Sequence, residues 1–176
     1  QQKLILACVC DEENAGEKGS QIVKNNGVVG DYNIFGEPTN LVPIIAQKGF
    51  LRLKITSHGK SAHAAFPEKG INSIDKIFTA VELIRKIINA PSSALLGKPT
   101  LNFSHVEGGQ KINMVPDLAE GQVDIRFLPE QDEQVIIKVI KKELGREGKY
   151  SLEVLAVGQP FSSNILHPFL GPLSLF

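Results

Sequence analysis

Three consecutive carboxylates, Asp11, Glu12 and Glu13, are the side chains of this sequence whose types and spacing most directly suggest chemistry. They follow an apolar run at 4–10, so they stand where a buried strand would lead into the next element. Adjacent carboxylates repel one another in a poorly solvated site unless a cation or a shared proton relieves the repulsion. The triplet therefore suggests metal-assisted hydrolysis. The alternative is that these acids only favour the positive N-terminus of a following helix.

A second group of candidates is spread over the middle of the chain. Glu37 precedes Pro38, which fixes the local backbone, and by itself Glu37 is most simply a solvated turn residue. His63 lies in a loop rich in Gly, Ser and Ala, where an imidazole donor can meet developing negative charge. A zinc pair made of His58 and His63 is disfavoured, because their spacing crosses from strand to loop without acidic support.

The composition disfavours several classes of partner. Of the 176 residues, 42% are hydrophobic and 22% are charged, which suits one large domain or two small ones. Nineteen basic residues balance nineteen acidic ones, so neither nucleic acid nor a membrane surface is an expected partner. No apolar run approaches the ~18 residues of a membrane span, and we expect a cytoplasmic protein. Cys8 and Cys10 are accordingly expected to be buried, reduced thiols.

The elements that must position the first candidates follow an α/β pattern. The nearly continuous apolar run at 3–10 predicts a parallel strand buried on both faces, and a helix at about 17–26 leads to a second strand at 32–35. This is a βαβ unit, part of a parallel sheet. The strand ends that carry Glu12 and Glu37 would lie along one edge, where open α/β sheets place their ligands.

In the rest of the chain the apolar residues are spaced differently. Residues 50–57 alternate apolar and polar side chains, which is typical of a strand with one solvated face. Asn72 is the expected N-cap of an amphipathic helix, and a later helix is expected to stop at Gly145. The predicted elements, in order, are a strand at 50–57, a helix at 72–89, strands at 100–106 and 119–128, a helix at 130–144 and a strand at 150–157. This β-α-β-β-α-β order is the ferredoxin-like arrangement.

Four motifs in this order carry a family resemblance. They are DEENAGEKG at 11–19, GEPT at 36–39, GKSAHAAFPEKGIN at 59–72 and GGQKINMVPDLAEGQVDIRF at 108–127. Together they resemble the dinuclear-zinc amidohydrolase and peptidase family that includes acetylornithine deacetylase, succinyl-diaminopimelate desuccinylase, aminoacylase and carboxypeptidase G. Each motif alone is weak, whereas the ordered set is specific and extends to about Phe161.

The resemblance implies roles for the acids. Glu12 would be the general base, Glu13 a ligand of one zinc ion and Glu37 a ligand of the second, with two zinc ions in a complete site and cobalt as a possible substitute. A base beside an activated water can accept its proton, so the assignment is chemically reasonable. Asp11 would only orient the turn.

The resemblance also implies roles in a separate lid domain. His63 would reach the active site of the partner subunit in a homodimer and stabilise the oxyanion of the tetrahedral intermediate. Asn113 and Arg126 would contact the carboxylate or carbonyl of the substrate, since a guanidinium binds a carboxylate bidentately. The alternatives stay open: Asn113 could simply hold a turn, and Arg126 could pair with Asp124 or Glu120 on the sheet.

The implied organisation has three parts: a partial zinc-hydrolase catalytic domain at 1–47, a ferredoxin-like lid and dimerisation domain at 48–158, and the start of a return to the catalytic domain at 159–176. The family's upstream His-x-Asp motif, its bridging aspartate and its C-terminal histidine ligand are absent, and His167 is not assigned to that last role. We therefore expect the chain to be part of a longer enzyme, to be inactive alone and to bind zinc weakly or not at all.

The implied reaction is deacylation of a small-molecule N-acyl amino acid or diamino acid. Within the same family, the alternative is a metallo-dipeptidase or carboxypeptidase. In another class, the alternative is a non-catalytic ferredoxin-like module for dimerisation or small-molecule binding.

Overall fold

A computed structural model describes residues 3–12, 16 and 18–164 of the chain. The chain divides into two compact units, Gln1–Leu41 and Val42–Phe176. Within the described residues, no helix is long and apolar enough to cross a membrane. The predicted return segment at 159–176 lies mostly outside the described residues.

The described residues of the first unit do not form the predicted parallel strands. Its described residues form one helix, α1 (Ser20–Asn25), and no strand at either 3–10 or 32–35. Leu4 and Leu6 are 96% and 86% exposed. Strands buried on both faces need neighbouring strands and covering layers, and two such runs alone provide neither. The expectation that Cys8 and Cys10 are buried is wrong for the same reason, since both lie exposed on this run.

The second unit has the predicted order of long elements. Its strands are β1 (Ala46–Gln47), β2 (Gly49–His58), β3 (Ala62–His63), β4 (Thr100–Gly108), β5 (Met114–Val115), β6 (Leu118–Phe127), β7 (Tyr150–Gly158) and β8 (Phe161–Ser162). Its helices are α2 (Ser73–Ile88) and α3 (Glu133–Glu147). The six long elements therefore follow one another as β-α-β-β-α-β, and each overlaps the segment predicted from the sequence.

Four of the long strands form one sheet in the order β4-β6-β2-β7, with every neighbouring pair antiparallel. Burial alternates along β2, so that Leu51, Leu53 and Ile55 are fully buried and Arg52 is exposed. The buried side chains meet α2 and α3 on one face of the sheet. The other face is polar and open to solvent. Two further strand pairs, β1 with β8 and β3 with β5, lie outside this sheet.

The ends of both long helices are fixed by local chemistry. The Asn72 side chain accepts from the amides of Ile74 and Asp75, as expected of an N-cap. Helix α3 does not stop at Gly145 as predicted but continues to Gly148, where φ is +70°. A glycine inside a helix costs only about 1 kcal/mol, whereas a residue in the left-handed region ends it.

Helix α2 buries most of the predicted apolar stripe. Ile77, Val81 and Ile84 are 0%, 2% and 0% exposed. Phe78, on the same helix, is 51% exposed and packs edge-on against Phe103, with ring centroids 5.7 Å apart. Phe78 lies at the margin of the core, because the face of α2 that meets the sheet is narrower than the apolar face of the helix.

Candidate functional site

Asp11 and Glu12, the first two acids of the triplet, stand on a tight turn of the first unit. Asp11 has a positive φ of 66°, its carbonyl accepts from the Gly16 amide at 2.8 Å, and its Oδ2 accepts from the Lys18 amide at 3.2 Å. Asp11 thus holds the turn, and Glu12 beside it is exposed. Glu13, the predicted zinc ligand, lies outside the described residues.

Glu37 also lies on a turn of the first unit. Its carbonyl accepts from the Thr39 amide at 2.8 Å across Pro38, and the positive φ values of Asn40 and Leu41 continue the bend. The carboxylate itself is exposed. A carboxylate presented in this way can act as a ligand only together with others.

Over residues 3–12, 16 and 18–164, no three His, Cys, Asp or Glu side chains come close enough together to hold a metal ion. Zinc sites in proteins use three or four protein ligands. The described residues therefore do not make a zinc site by themselves.

In the second unit, the chain brings His63 and Asn113 together although they are far apart in sequence. Strands β3 and β5 pair antiparallel, with Ala62 opposite Val115 and His63 opposite Met114. The pairing is extended by a bond from the Ala64 amide to the Asn113 carbonyl at 3.0 Å. The two predicted site residues thus lie on loops that are joined by backbone hydrogen bonds.

The imidazole of His63 has a defined partner. The Ala65 amide donates to His63 Nδ1 at 3.1 Å, and the Phe66 amide donates to the His63 carbonyl at 2.8 Å. A backbone N–H can only donate, so Nδ1 must offer its lone pair. The neutral ring therefore carries its proton on Nε2. Because His63 is exposed, Nε2–H is available to an acceptor outside the loop.

Arg126 pairs with one of the two acids that the sequence offered. Its Nε lies 2.7 Å from Asp124 Oδ1 and its Nη2 lies 3.1 Å from Asp124 Oδ2, which is a bidentate arrangement. Arg52 also reaches Asp124 Oδ2, at 3.1 Å. Both guanidinium groups lie over the Phe50 ring, at 5.0 Å for Arg52 and 5.5 Å for Arg126. Two cations share one carboxylate, so the cluster carries a net positive charge.

Arg52 and Phe50, which the sequence pattern did not single out, are neighbours of Arg126. Antiparallel pairing places Phe50 opposite Arg126 and Arg52 opposite Asp124. The alternation of β2 indicated that Phe50 and Arg52 share a face, but the register between β2 and β6 is not visible in the pattern.

Glu120, the other acid offered to Arg126, is used elsewhere. Lys54 Nζ lies 3.6 Å from Glu120 Oε2 and 3.5 Å from Glu153 Oε2, and the Thr56 hydroxyl donates to Glu120 at 3.2 Å. Glu120, and after it Glu153, raises the pKa of Lys54 above its ordinary value. The open face of the sheet thus carries ordered ion pairs.

Arg126 is not beside His63 in this chain. Arg126 is near the end of β6, whereas the Asn113 loop precedes Leu118, the first residue of that strand. Eight residues of strand at a rise of about 3.3 Å per residue correspond to roughly 26 Å. The three candidates of the second unit thus form a His63–Asn113 pair at one end of the sheet and an Arg126 cluster towards the other.

Comparisons with known proteins place both units in one family. Residues 45–151 match the M20 peptidase dimerisation domain. The chain is 30% identical to the acetylornithine deacetylase of Vibrio campbellii over 96% of its length, which is 48% of that protein. It is 34% identical to the acetylornithine deacetylase of Vibrio cholerae, over 72% of this chain and 35% of that one. The chain thus spans about half or less of the length of these curated relatives.

Solved structures show the same fold. A tripeptidase from Staphylococcus aureus superposes with a TM-score of 0.65 over 93% of this chain and 44% of its own, at 16% identity. An aminobenzoyl-glutamate utilization protein from Klebsiella pneumoniae superposes with a TM-score of 0.56 over 85% of this chain and 41% of its own, at 20% identity. Since the dimerisation domain alone covers more than half of the sequence, the chain belongs to the M20 family of amidohydrolases and peptidases that includes acetylornithine deacetylase.

Proposed function

We propose that this chain forms part of a hydrolase that cleaves the amide bond of an N-acyl amino acid or diamino acid, as an acetylornithine deacetylase does. The observation that carries the proposal is the match to acetylornithine deacetylases over 96% of the chain, which spans all four motifs. The substrate class follows from that match and from the cationic cluster at Arg126, which suits a carboxylate.

In this reaction Glu12 accepts a proton from the attacking water and passes it to the leaving amine. Glu13 and Glu37 are ligands for two zinc ions, or for cobalt in their place. When bound, such ions supply a Lewis acid and an activated water. Two carboxylates cannot hold two zinc ions, so the remaining ligands have to come from elsewhere in the enzyme.

His63 donates Nε2–H to the oxyanion that forms when water attacks the carbonyl. The bond from the Ala65 amide to Nδ1 supports this role, because it leaves the proton on the outward nitrogen. A donor already oriented before the reaction costs no reorganisation in the transition state. Asn113 is joined to the same loop and can supply a second polar contact.

The second unit is proposed to be a ferredoxin-like lid, at about 48–158, through which two copies associate. The strand order β4-β6-β2-β7 with two helices on one face supports that fold, and the match to a dimerisation domain supports the homodimer. The roughly 26 Å between Arg126 and the His63 end is consistent with His63 acting in the partner subunit, while Arg126 binds a substrate carboxylate in another site.

The assignment of His63 can be tested in the product of the complete gene with N-acetylornithine as substrate. His63→Ala should lower kcat about 10²- to 10³-fold with a smaller change in KM, because the lost bond forms in the transition state. His105→Ala is the matched control, since His105 is an exposed histidine that faces Glu107 on β4. An unchanged kcat in His63→Ala would remove His63 from the reaction.

A peptidase of the same family is the second candidate, favoured by the peptidase dimerisation domain itself. The two candidates differ in the group on the acyl side of the scissile bond. Comparison of kcat/KM for acetylornithine with that for dipeptides and tripeptides separates them. If neither substrate class is turned over by the zinc-loaded protein, the non-catalytic dimerisation module is the better description.

A further inference from the structure

The loops that carry His63 and Asn113 are joined at their base by a buried serine. Ser73, the first residue of α2, is 0% exposed. Its amide donates to the Pro116 carbonyl at 2.9 Å and its hydroxyl donates to the same oxygen at 3.1 Å. Ser57, also 0% exposed, donates its hydroxyl to the Ser73 carbonyl at 2.6 Å. The end of β2, the start of α2 and the segment before β6 thus meet at one residue.

The base of the His63 loop is close-packed around this contact. The Gly59 amide donates to the Asp117 carbonyl at 2.7 Å, and Lys60 and Ile71 exchange two backbone bonds of 2.9 Å each. A Cβ on Gly70 would lie 2.8 Å from the Lys60 carbonyl oxygen and 3.0 Å from Val115 Cγ1. There is no room between the two loops for even one additional methyl group.

The tips of the loops depend on this base. Pro116 directly follows Val115, the last residue of β5, and Ser73 follows the closed stem of the loop that contains β3. A shift of Pro116 relative to Ser73 would therefore move β5 along β3. Such a shift would break the bond from Ala64 to Asn113 and leave the Ala65 amide free to turn away from His63 Nδ1.

We propose that Ser73 is a positioning residue that holds the His63 and Asn113 loops as one unit and thereby keeps the His63 proton on Nε2. Its hydroxyl adds a second bond to the Pro116 carbonyl, from a side chain that is itself fully buried. The inference rests on the proposed role of His63, since it explains how that donor is oriented before substrate arrives.

The test uses the 176-residue chain and two measurements. In Ser73→Ala, loss of the hydroxyl's bond to the Pro116 carbonyl should lower the hydrogen-exchange protection of the Ala64 and Ala65 amides roughly tenfold, while the Leu53 amide in the central strand is unchanged. The ¹⁵N chemical shifts of the His63 ring should move from one Nε2–H tautomer towards a mixture. Ser104→Ala is the matched control, because Ser104 donates to the Gln122 carbonyl at 3.2 Å on β4 and touches neither loop.

Gly70→Ala provides a second variant that leaves Ser73 in place. Gly70 has φ −104°, which alanine adopts freely, so the change adds only a methyl group between the loops. It should produce the same ring signature as Ser73→Ala. Unchanged ring shifts and protection in both variants would overturn the proposal, as would a loss of protection spread evenly over the whole sheet. A normal kcat in His63→Ala, by contrast, would overturn the proposed function and leave the loop framework standing.

Discussion

Both units of this chain contain apolar runs, but the run is exposed in the first unit and buried in the second. In the first unit, Leu6 is 86% exposed and the surrounding run forms no strand. In the second unit, Leu53 is fully buried in the centre of an antiparallel sheet. The difference lies in what each pattern needs: an alternating strand needs one covering layer, which α2 and α3 provide, whereas a strand apolar on both faces needs neighbours and a layer on each side.

The comparison shows that hydrophobicity alone does not make a strand. The run at 3–10 is more continuously apolar than β2, yet only β2 has partners on both edges. Backbone hydrogen bonds and covering helices decide the outcome, because an unpaired strand leaves its donors and acceptors to water.

The largest expected difference comes from the same substitution made in each unit. Leu53→Ala should lower the free energy of unfolding of the second unit by about 2–5 kcal/mol, since it leaves a cavity beneath the helices. Leu6→Ala should change the free energy of unfolding by less than about 0.5 kcal/mol, because the side chain is already in water. Urea denaturation followed by circular dichroism measures both. Equal effects would show that the run at 3–10 is packed in solution.

A methyl group added at a glycine probes how closely each unit is packed. A Cβ on Gly121 would lie 2.8 Å from Ile77 Cγ2 and 3.1 Å from Phe103 Cε2, so Gly121→Ala should cost about 1–3 kcal/mol. Gly36, in the first unit, has nothing within 4 Å of such a Cβ, and Gly36→Ala should leave stability within about 0.5 kcal/mol. Thermal unfolding of the two variants checks the pair; a stable Gly121→Ala protein would argue against the close approach of α2 to β6.

The helices of the two units also differ at their N-termini: α3 has a side-chain cap and α1 has none. Asp132 Oδ1 accepts from the Gln134 and Val135 amides at 2.7 and 3.2 Å, whereas α1 begins after Gly19 with no side-chain cap. Asp132→Ala should therefore cost about 1 kcal/mol. Glu130→Ala, at an exposed neighbouring position, is the control. The shift in the urea midpoint gives the value, and no shift would mean that the cap adds nothing to α3.

The smallest expected effect concerns pH and the open face of the sheet. Glu120 and Glu153 raise the pKa of Lys54, so the stability from this contact is present below the ordinary lysine pKa of about 10.4 and is lost as pH rises through the raised value. Lys54→Met should be slightly less stable than the parent at pH 7, and the gap should narrow as pH rises above the ordinary lysine value. Lys141→Met, on α3, provides the comparison for a general loss of charge. If the difference in stability between Lys54→Met and the parent grew as pH rises, the expected direction would be wrong.

Much of the second unit could be predicted because its signals are local. Alternation at 50–57 predicted β2, which runs from Gly49 to His58, and the Asn72 cap was readable from the residue type and the apolar residues that follow it. The end of α3 was not readable, since Gly145 and Gly148 look alike in sequence and only backbone conformation separates them. The prediction of strands in the first unit was wrong, because the partners that a strand needs are not a local property of the sequence.

The candidate site divides along the same line. The family resemblance singled out His63, Asn113 and Arg126 as separate hypotheses, with Asp124 as an alternative partner of Arg126. The pairing of β3 with β5 and the stacking of Arg126 over Phe50 depend on register and loop closure. No spacing within a single segment contains that information.

The sequence by itself determined the family and the order of the long elements, because ordered motifs and hydrophobic alternation are properties of neighbouring residues. Tertiary structure decided which apolar runs become strands, which nitrogen of His63 carries the proton, and which carboxylate Arg126 binds. Strand formation depends on groups brought together from distant parts of the chain, whereas His63 and Arg126 each meet a group two residues away, Ala65 and Asp124, in a geometry that the fold sets. In each case burial and the supply of hydrogen-bond partners set the free energy.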